Sequence, residues 1–133
     1  MFGWNKVIEK DAFMRVIGND LNFLETVISL FESQAKDSLD TLSGALVTPD
    51  WPSYLRATHD LKNMGRSIAS TKLIEHADIL EQFAEGQNVV QAQAALKNTA
   101  KLLGKARAEL IEIGANKASR KFPKGGSTNE LEN

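Results

Sequence analysis

The sequence predicts an all-α fold, an antiparallel four-helix bundle with a short extra N-terminal helix. Apolar residues recur at steps of three and four along almost the whole chain, which is the period of an amphipathic helix. Only three prolines occur in 133 residues, and the long stretches between them permit long helices. Short polar breaks separate these stretches, and short connections favour antiparallel neighbours.

The first two helices have recognisable ends. The first is predicted from Asp11, as its N-cap, to Ile17, with Gly18 ending it. The second starts near Asn19 or Asp20 and keeps one apolar face over about seven turns. That face consists of Leu21, Leu24, Ile28, Phe31, Ala35, Leu39, Leu42 and Leu46, and Val27 and Leu30 widen it.

Polar caps also begin the other three helices. Asp50 can cap the third helix, predicted over about residues 51–68, and Pro52 fits its first turn, where no intrahelical N–H is needed. Ser70 and Thr71 offer a cap for the fourth helix, and Asn88 offers one for the fifth. Their inward residues are Leu73, Ala77, Leu80 and Ala84 in the fourth, then Val89, Ala92, Leu96, Thr99, Leu103, Ala106, Leu110 and Ile113 in the fifth.

The composition excludes several classes of protein. Without cysteine there are no disulfides, no thiol catalysis and no cysteine-bound zinc. A formal net charge of −1 argues against nucleic acid as a partner, and no apolar run is long enough to suggest membrane insertion. We expect one cytoplasmic domain over residues 1–116 and a disordered polar tail over residues 117–133. The basic residues of that tail, which fit a solvated linker better than a nucleic-acid contact, are Lys117, Arg120, Lys121 and Lys124.

The third helix carries the candidate site. On a helical wheel His59 points away from the inward residues of this helix. Those inward residues are Tyr54, Ala57, Leu61, Met64, Gly65 and Ile68, and the outer neighbours of His59 are Leu55, Arg56, Lys62, Asn63 and Arg66. The three cations should disfavour the imidazolium, which keeps a nitrogen lone pair available, and they would stabilise a phosphoryl group once attached. The alternative is a solvated helix face with an ordinary surface histidine.

The segment 58–62 reads Thr-His-Asp-Leu-Lys and resembles the H-x-L-K motif of the histidine-containing phosphotransfer (HPt) family. The resemblance covers about residues 10–114, including the position of Phe31 and the Leu73…Ala77…Leu80-Glu81 pattern of the fourth helix. Members of this family are four-helix bundles in which an exposed histidine accepts a phosphoryl group from a receiver-domain aspartate and passes it to another receiver.

The resemblance implies roles for individual residues. His59 would be phosphorylated, on Nε2, and Lys62 would help balance the phosphoryl charge. Glu81 would accept a hydrogen bond from Nδ1 and orient the ring, unless it is an ordinary exposed glutamate. The phosphoryl group or the partner would be contacted by Arg56, Asn63, Arg66 and Leu55. Leu21 and Phe23 are further candidates for an apolar docking rim, although Leu21 fits the core better.

The resemblance also implies partners and cofactors. The chain would be a phosphoryl carrier without kinase or phosphatase activity of its own, and so not an enzyme. It would need no cofactor, because the receiver supplies Mg²⁺. Expected partners are receiver domains of response regulators or of a hybrid sensor histidine kinase. We expect a monomer, and Met1 in front of a complete bundle favours a small independent carrier.

Two departures from the family pattern leave a second hypothesis open. The usual glycines four and ten residues after the histidine are replaced by Asn63 and Ala69. Asn63 either crowds the approaching aspartate or donates a hydrogen bond to the phosphoryl oxygens. The second hypothesis is therefore a non-catalytic helical adaptor that docks receiver domains without being phosphorylated.

A metal site is disfavoured by helical geometry. It would use one of the two histidines, His59 or His76, with Glu75 and Asp78. His76 and Asp78 lie two residues apart on a predicted helix, so their side chains diverge.

Overall fold

The computed structural model describes residues 6–121, with side chains described through Lys117, and this part of the chain forms a bundle of α-helices. The helices are α1 Lys10–Ile17, α2 Leu21–Val47, α3 Trp51–Ser67, α4 Thr71–Glu85 and α5 Val89–Lys121. Each of the four long helices packs against the next, and α5 returns to pack against α2. Three-residue connections make successive long helices antiparallel. The predicted all-α bundle with a short extra N-terminal helix is confirmed.

Caps predicted for α3, α4 and α5 are confirmed by hydrogen bonds to backbone N–H groups, and Asp20, one of the two residues predicted to start α2, caps that helix in the same way. Asp20 accepts from Phe23 at 2.9 Å, Asp50 from Ser53 at 3.2 Å, Ser70 from Leu73 at 3.1 Å and Asn88 from Gln91 at 3.0 Å. The prediction for α1 is wrong, because this helix begins at Lys10 and Glu9 occupies its N-cap without a side-chain cap bond. Asp11 instead lies in the first turn, where a negative charge is favourable near the helix N-terminus.

The core lies where the inward faces of the four long helices meet. The predicted inward residues of α3 are all buried, and Thr58 joins them because its hydroxyl donates to the Leu55 carbonyl at 2.8 Å. Leu30 was predicted to widen the buried face of α2 and is instead 54% exposed. It lies on the side of α2 that borders a groove toward α3. In the described part of the chain, no helix combines the length and hydropathy required to cross a bilayer.

Close contacts hold α3 against α4. A Cβ atom added at Gly65 would come within 2.8 Å of Ile74 Cγ1 and 3.2 Å of the Ser70 carbonyl oxygen, so this approach requires glycine. The buried Tyr54 hydroxyl donates to the Leu80 carbonyl at 2.8 Å, and burial raises the pKa of Tyr54 to about 12. The outer face of α3 is thus presented by a helix that is fixed along its length.

The N-terminal segment and α5 close one end of the bundle. Glu109 of α5 is buried, and its carboxylate accepts hydrogen bonds from the backbone N–H groups of Val7 and Ile8. Lys117 is buried as well, because its ammonium donates to the Gly18 carbonyl at the end of α1. These two side chains tie Val7, Ile8 and Gly18 to the C-terminal half of α5.

The predicted boundary of the polar tail is wrong at its first residues. We expected a disordered segment from residue 117, but α5 continues through Lys121. Lys117, the first residue of the expected tail, is held in the fold by its hydrogen bond to the Gly18 carbonyl, a long-range contact that a pattern of apolar residues does not reveal. Residues 122–133 of that segment, including Lys124, lie outside the described residues.

The turn between α3 and α4 places a non-glycine residue in the left-handed region. Ala69 has φ of 55°, and the Ser70 N–H reaches the Gly65 carbonyl at 2.7 Å while the Ala69 N–H reaches the Arg66 carbonyl at 3.3 Å. This is the bonding pattern of a Schellman helix end, whose left-handed position is normally glycine. An alanine there carries a steric cost of about 1–2 kcal/mol.

We therefore expect Ala69→Gly to stabilise the fold. Relief of the Cβ clash outweighs the extra chain entropy of glycine in the unfolded state, for a net gain of about 0.5–1 kcal/mol in the free energy of unfolding. Urea denaturation measures the change. Ala108→Gly, at an exposed position inside α5, is the control and should lose about 1 kcal/mol. A loss at both positions would contradict the assignment of strain to Ala69.

Candidate functional site

His59 is exposed on the outer face of α3. Its ring makes no hydrogen bond and no ion pair with any other residue of the described chain. The neighbouring Thr58 and Leu61 are fully buried, so they orient α3 with His59 outward. The predicted outward direction of this imidazole is confirmed, and both ring nitrogens are open to a molecule from outside.

Lys62, one turn after His59, is engaged with α4. Its ammonium lies 2.7 Å from Asp78 Oδ1 and 3.0 Å from Glu81 Oε1, and its side chain is only 17% exposed. The hydrogen bonds to Asp78, and then to Glu81, raise the pKa of Lys62. The charge of Lys62 is therefore offset by two carboxylates.

The contacts of Glu81 differ from the expected ones. We predicted that its carboxylate would accept a hydrogen bond from Nδ1 of His59, but it accepts one from Lys62 instead. A fully charged ammonium is a stronger partner for a carboxylate than a neutral imidazole N–H. The ring of His59 is thus not oriented by Glu81 in this structure.

Two guanidinium groups flank His59 on the same helix. Arg66 Nη1 donates to Asn63 Oδ1 at 2.8 Å, and Arg56 Nη2 donates to Ser53 Oγ at 3.2 Å. Both arginines and Asn63 are exposed. Because the oxygen of Asn63 accepts from Arg66, the N–H groups of its amide remain available to an acceptor from outside.

Exposed apolar side chains occur on α3 and on α2. Leu55 is 40% exposed one turn before His59, while Phe23 and Leu30 of α2 are 44% and 54% exposed. Leu21, for which we favoured a core position, is partly buried. Exposed apolar groups beside charged ones are typical of transient protein interfaces.

A groove of about 480 Å³ runs between α2 and α3, on the flank of α3 opposite to Lys62. Its polar lining consists of Gln34, Asp37, Ser38, Thr41, Arg56, Asp60, Asn63 and Ser67. Its apolar lining consists of Leu30, Ala57 and Met64. Asp60, which directly follows His59, links the groove to the exposed imidazole.

The second histidine has a structural role between α4 and α5. Thr99 donates its hydroxyl hydrogen to the Ala95 carbonyl at 2.9 Å, so its oxygen accepts from Nε2–H of His76 at 2.7 Å. Burial lowers the pKa of His76. Asp78 pairs with Lys62, so it does not join His76 in a metal site. The described residues contain no group of three or more His, Cys, Asp or Glu side chains that could hold a metal ion.

Sequence reasoning missed two features of this region. Asp78 was considered only as a metal ligand, although its spacing of three residues from Glu81 places both carboxylates on one face of α4. The burial of Ser38 could not be predicted, since a serine beside the apolar face of a helix is usually exposed to solvent.

Comparisons with known proteins return no match to this chain, whether with family models, curated proteins or solved structures.

Proposed function

We propose that this chain is a histidine phosphotransfer protein of a two-component phosphorelay, in which His59 accepts a phosphoryl group from a receiver-domain aspartate and passes it to another receiver. The observation that supports this proposal most is the exposed, unpartnered imidazole in the middle of a rigid helix, beside Arg56 and Arg66. A nucleophile that meets a second protein must be accessible, and the arginines supply charge for the phosphoryl oxygens. We also propose a cytoplasmic location.

The transfer step requires little of the carrier. The Nε2 lone pair of a neutral His59 forms the N–P bond while the acyl-phosphate P–O bond breaks, and that electron pair returns to the receiver carboxylate. The Nδ1 hydrogen stays on the ring. The receiver supplies Mg²⁺, and the transition state is loose and in line. His59 contributes position and a lone pair, so the carrier has no kinase or phosphatase activity of its own.

Charge balance after transfer falls mainly to the arginines. Arg56 and Arg66 are exposed, whereas Lys62 is already paired with Asp78 and Glu81. The free amide hydrogens of Asn63 add a neutral donor four residues from the imidazole. Asn63 would then be a contact of the phosphoryl group rather than an obstacle.

Lys62→Ala is expected to slow phosphoryl uptake about fivefold. Removing the ammonium leaves the charges of Asp78 and Glu81 uncompensated near His59, where they repel the incoming phosphoryl group. Two such charges several ångströms away raise the barrier by about 1 kcal/mol in a high dielectric. The initial rate of labelling from a phosphorylated receiver measures the effect.

Lys36→Ala is the matched control for this variant. Lys36 also pairs with a carboxylate, Asp40 at 3.1 Å, but it lies on the side of α2 that faces α5. Its removal should leave the labelling rate unchanged. Equal rates for both variants and the unmodified chain would contradict the role given to the Lys62 pair.

A second candidate function is a receiver-docking adaptor that is never phosphorylated. It is favoured by the same engagement of Lys62, because a paired lysine cannot turn fully toward a phosphoryl group on His59. The exposed Leu55, one turn before His59, suits docking equally well.

Incubation of the whole chain with ³²P-labelled phospho-receivers separates the two functions. Movement of acid-labile label onto the bundle, located at His59 by mass spectrometry, supports the carrier. A stable complex with a phospho-receiver, without label on the bundle after complete decay of the donor, supports the adaptor and excludes the carrier.

A further inference from the structure

We propose that the groove between α2 and α3 receives an arginine side chain of the partner that docks at His59. Since it specifies the partner of that site, the inference rests on the proposed function for the identity of the partner. The recognition chemistry belongs to the groove itself and can be measured separately.

The charges of the groove favour a cation. Asp37 on α2 and Asp60 on α3 both line it, and neither makes an ion pair or a hydrogen bond within the described chain. Arg56 lines one end, but its guanidinium donates to Ser53, which in turn bonds Asp50 at 2.7 Å. Two unpaired carboxylates thus face a single cation that is engaged elsewhere.

A buried hydroxyl without a partner gives an independent indication of a ligand. Ser38 is only 5% exposed and lines the groove, yet its hydroxyl makes no hydrogen bond with any described residue. Two other buried hydroxyls of the bundle, those of Thr58 on α3 and Thr99 on α5, donate to a backbone carbonyl one turn earlier. A buried polar group left unpaired is costly, and such groups in native proteins usually have a functional explanation.

The groove matches a guanidinium in geometry as well as in charge. A guanidinium has five N–H donors in one plane and no acceptor. The groove offers acceptors on both walls, among them the carboxylates of Asp37 and Asp60 and the hydroxyl of Ser38. The methylene stem of an arginine would lie against the apolar part of the lining, formed by Leu30, Ala57 and Met64.

The position of the groove suits a docking contact. Asp60 directly follows His59 in sequence, so a partner held at Asp60 has its own surface beside the imidazole. An arginine inserted between two helices would fix the orientation of the partner. Its guanidinium can make two parallel hydrogen bonds to a carboxylate, which a lysine ammonium cannot.

Titration of the whole chain with N-acetyl-arginine amide, followed by amide NMR shifts, tests the inference. The shifts are expected to concentrate at the groove, and the uncharged isostere N-acetyl-citrulline amide should give none. Asp37→Asn should weaken the arginine probe about fivefold, since it removes one charge-assisted contact.

Asp40→Asn is the matched control. It removes the same charge from the same helix one turn further on, outside the groove, where Asp40 pairs with Lys36. It should change the affinity for the probe less than twofold. Equal binding of the citrulline probe, an equal response to N-acetyl-lysine amide, or equal weakening by Asp37→Asn and Asp40→Asn would each overturn the proposal.

Ser38→Ala is a second test variant, for which we expect higher thermal stability but weaker binding of the arginine probe. Removing an unpaired buried hydroxyl should raise the midpoint of thermal unfolding, while the affinity for the arginine probe falls about threefold. A serine with a purely structural role would give lower stability and unchanged affinity, and this result would overturn the proposal.

The outcomes for the groove and for the proposed function are distinguishable. Arginine-probe binding at the groove without any labelling of His59 would remove the phosphotransfer function alone. Labelling of His59 without probe binding would remove the groove inference alone.

Discussion

His59→Gln is expected to abolish acid-labile phosphate incorporation from every phosphorylated receiver that labels the unmodified chain. Glutamine is similar in size and polarity, but its amide nitrogen has no lone pair able to attack phosphorus, because that pair is delocalised into the carbonyl. The exposed imidazole makes no hydrogen bond and no ion pair within the described chain, so the change should cost less than about 0.5 kcal/mol of stability. Labelling should fall to background, while the circular dichroism spectrum and the unfolding midpoint stay the same.

The chain supplies its own control for this experiment, because its second histidine is the only other one. His76 is partly buried and hydrogen-bonded to Thr99, so His76→Gln should lower stability by about 1 kcal/mol and leave labelling in place. Normal labelling of the His59 variant, or loss of labelling only in the His76 variant, would show that His59 has been wrongly assigned.

Glu109→Gln is expected to be the most destabilising of the substitutions considered. The Val7 N–H lies 3.1 and 2.9 Å from the two carboxylate oxygens, and the Ile8 N–H lies 2.8 Å from Oε1. The residue is only 8% exposed. A glutamine keeps one acceptor but brings an NH₂ group against backbone donors, so at least one buried N–H loses its partner. We expect a loss of about 2–3 kcal/mol in the free energy of unfolding.

Thermal and urea unfolding of the full chain measure this loss. For a domain of this size it corresponds to a decrease of about 10 °C in the unfolding midpoint. Glu112→Gln is the matched control on the same helix. Glu112 is 65% exposed and lies 3.9 Å from Lys6, so its replacement should change stability by less than about 0.5 kcal/mol. Equal effects at both positions would refute the docking role of Glu109.

Local sequence signals predicted the helices and their starts well. A capping side chain lies two or three residues before the N–H group that it binds, so the caps at Asp50, Ser70 and Asn88 could be predicted from the local sequence. The outward direction of His59 was equally accessible, because it follows from the helical period and the apolar neighbours.

Contacts between distant segments could not be predicted in the same way. The pairing of Lys62 with Asp78 and Glu81 depends on how α3 and α4 are rotated against each other, and the sequence does not specify that angle. The burial of Glu109 and Lys117 depends on where the N-terminal segment docks. From sequence alone, both side chains are expected to be exposed to solvent, because charged residues are rarely buried without a partner.

The interlocking of α3 with α4 has a consequence for the proposed phosphotransfer. Gly65 allows the two backbones to meet, and Tyr54 and the Lys62 pair join them further along. These contacts lie on the inner side and the α4 side of α3, away from the imidazole, so a group attached to His59 would change the surface charge without breaking any of them. Under that proposal, a partner would recognise the phosphorylated state by direct contact with the group on α3, and recognition would need no rearrangement of the bundle.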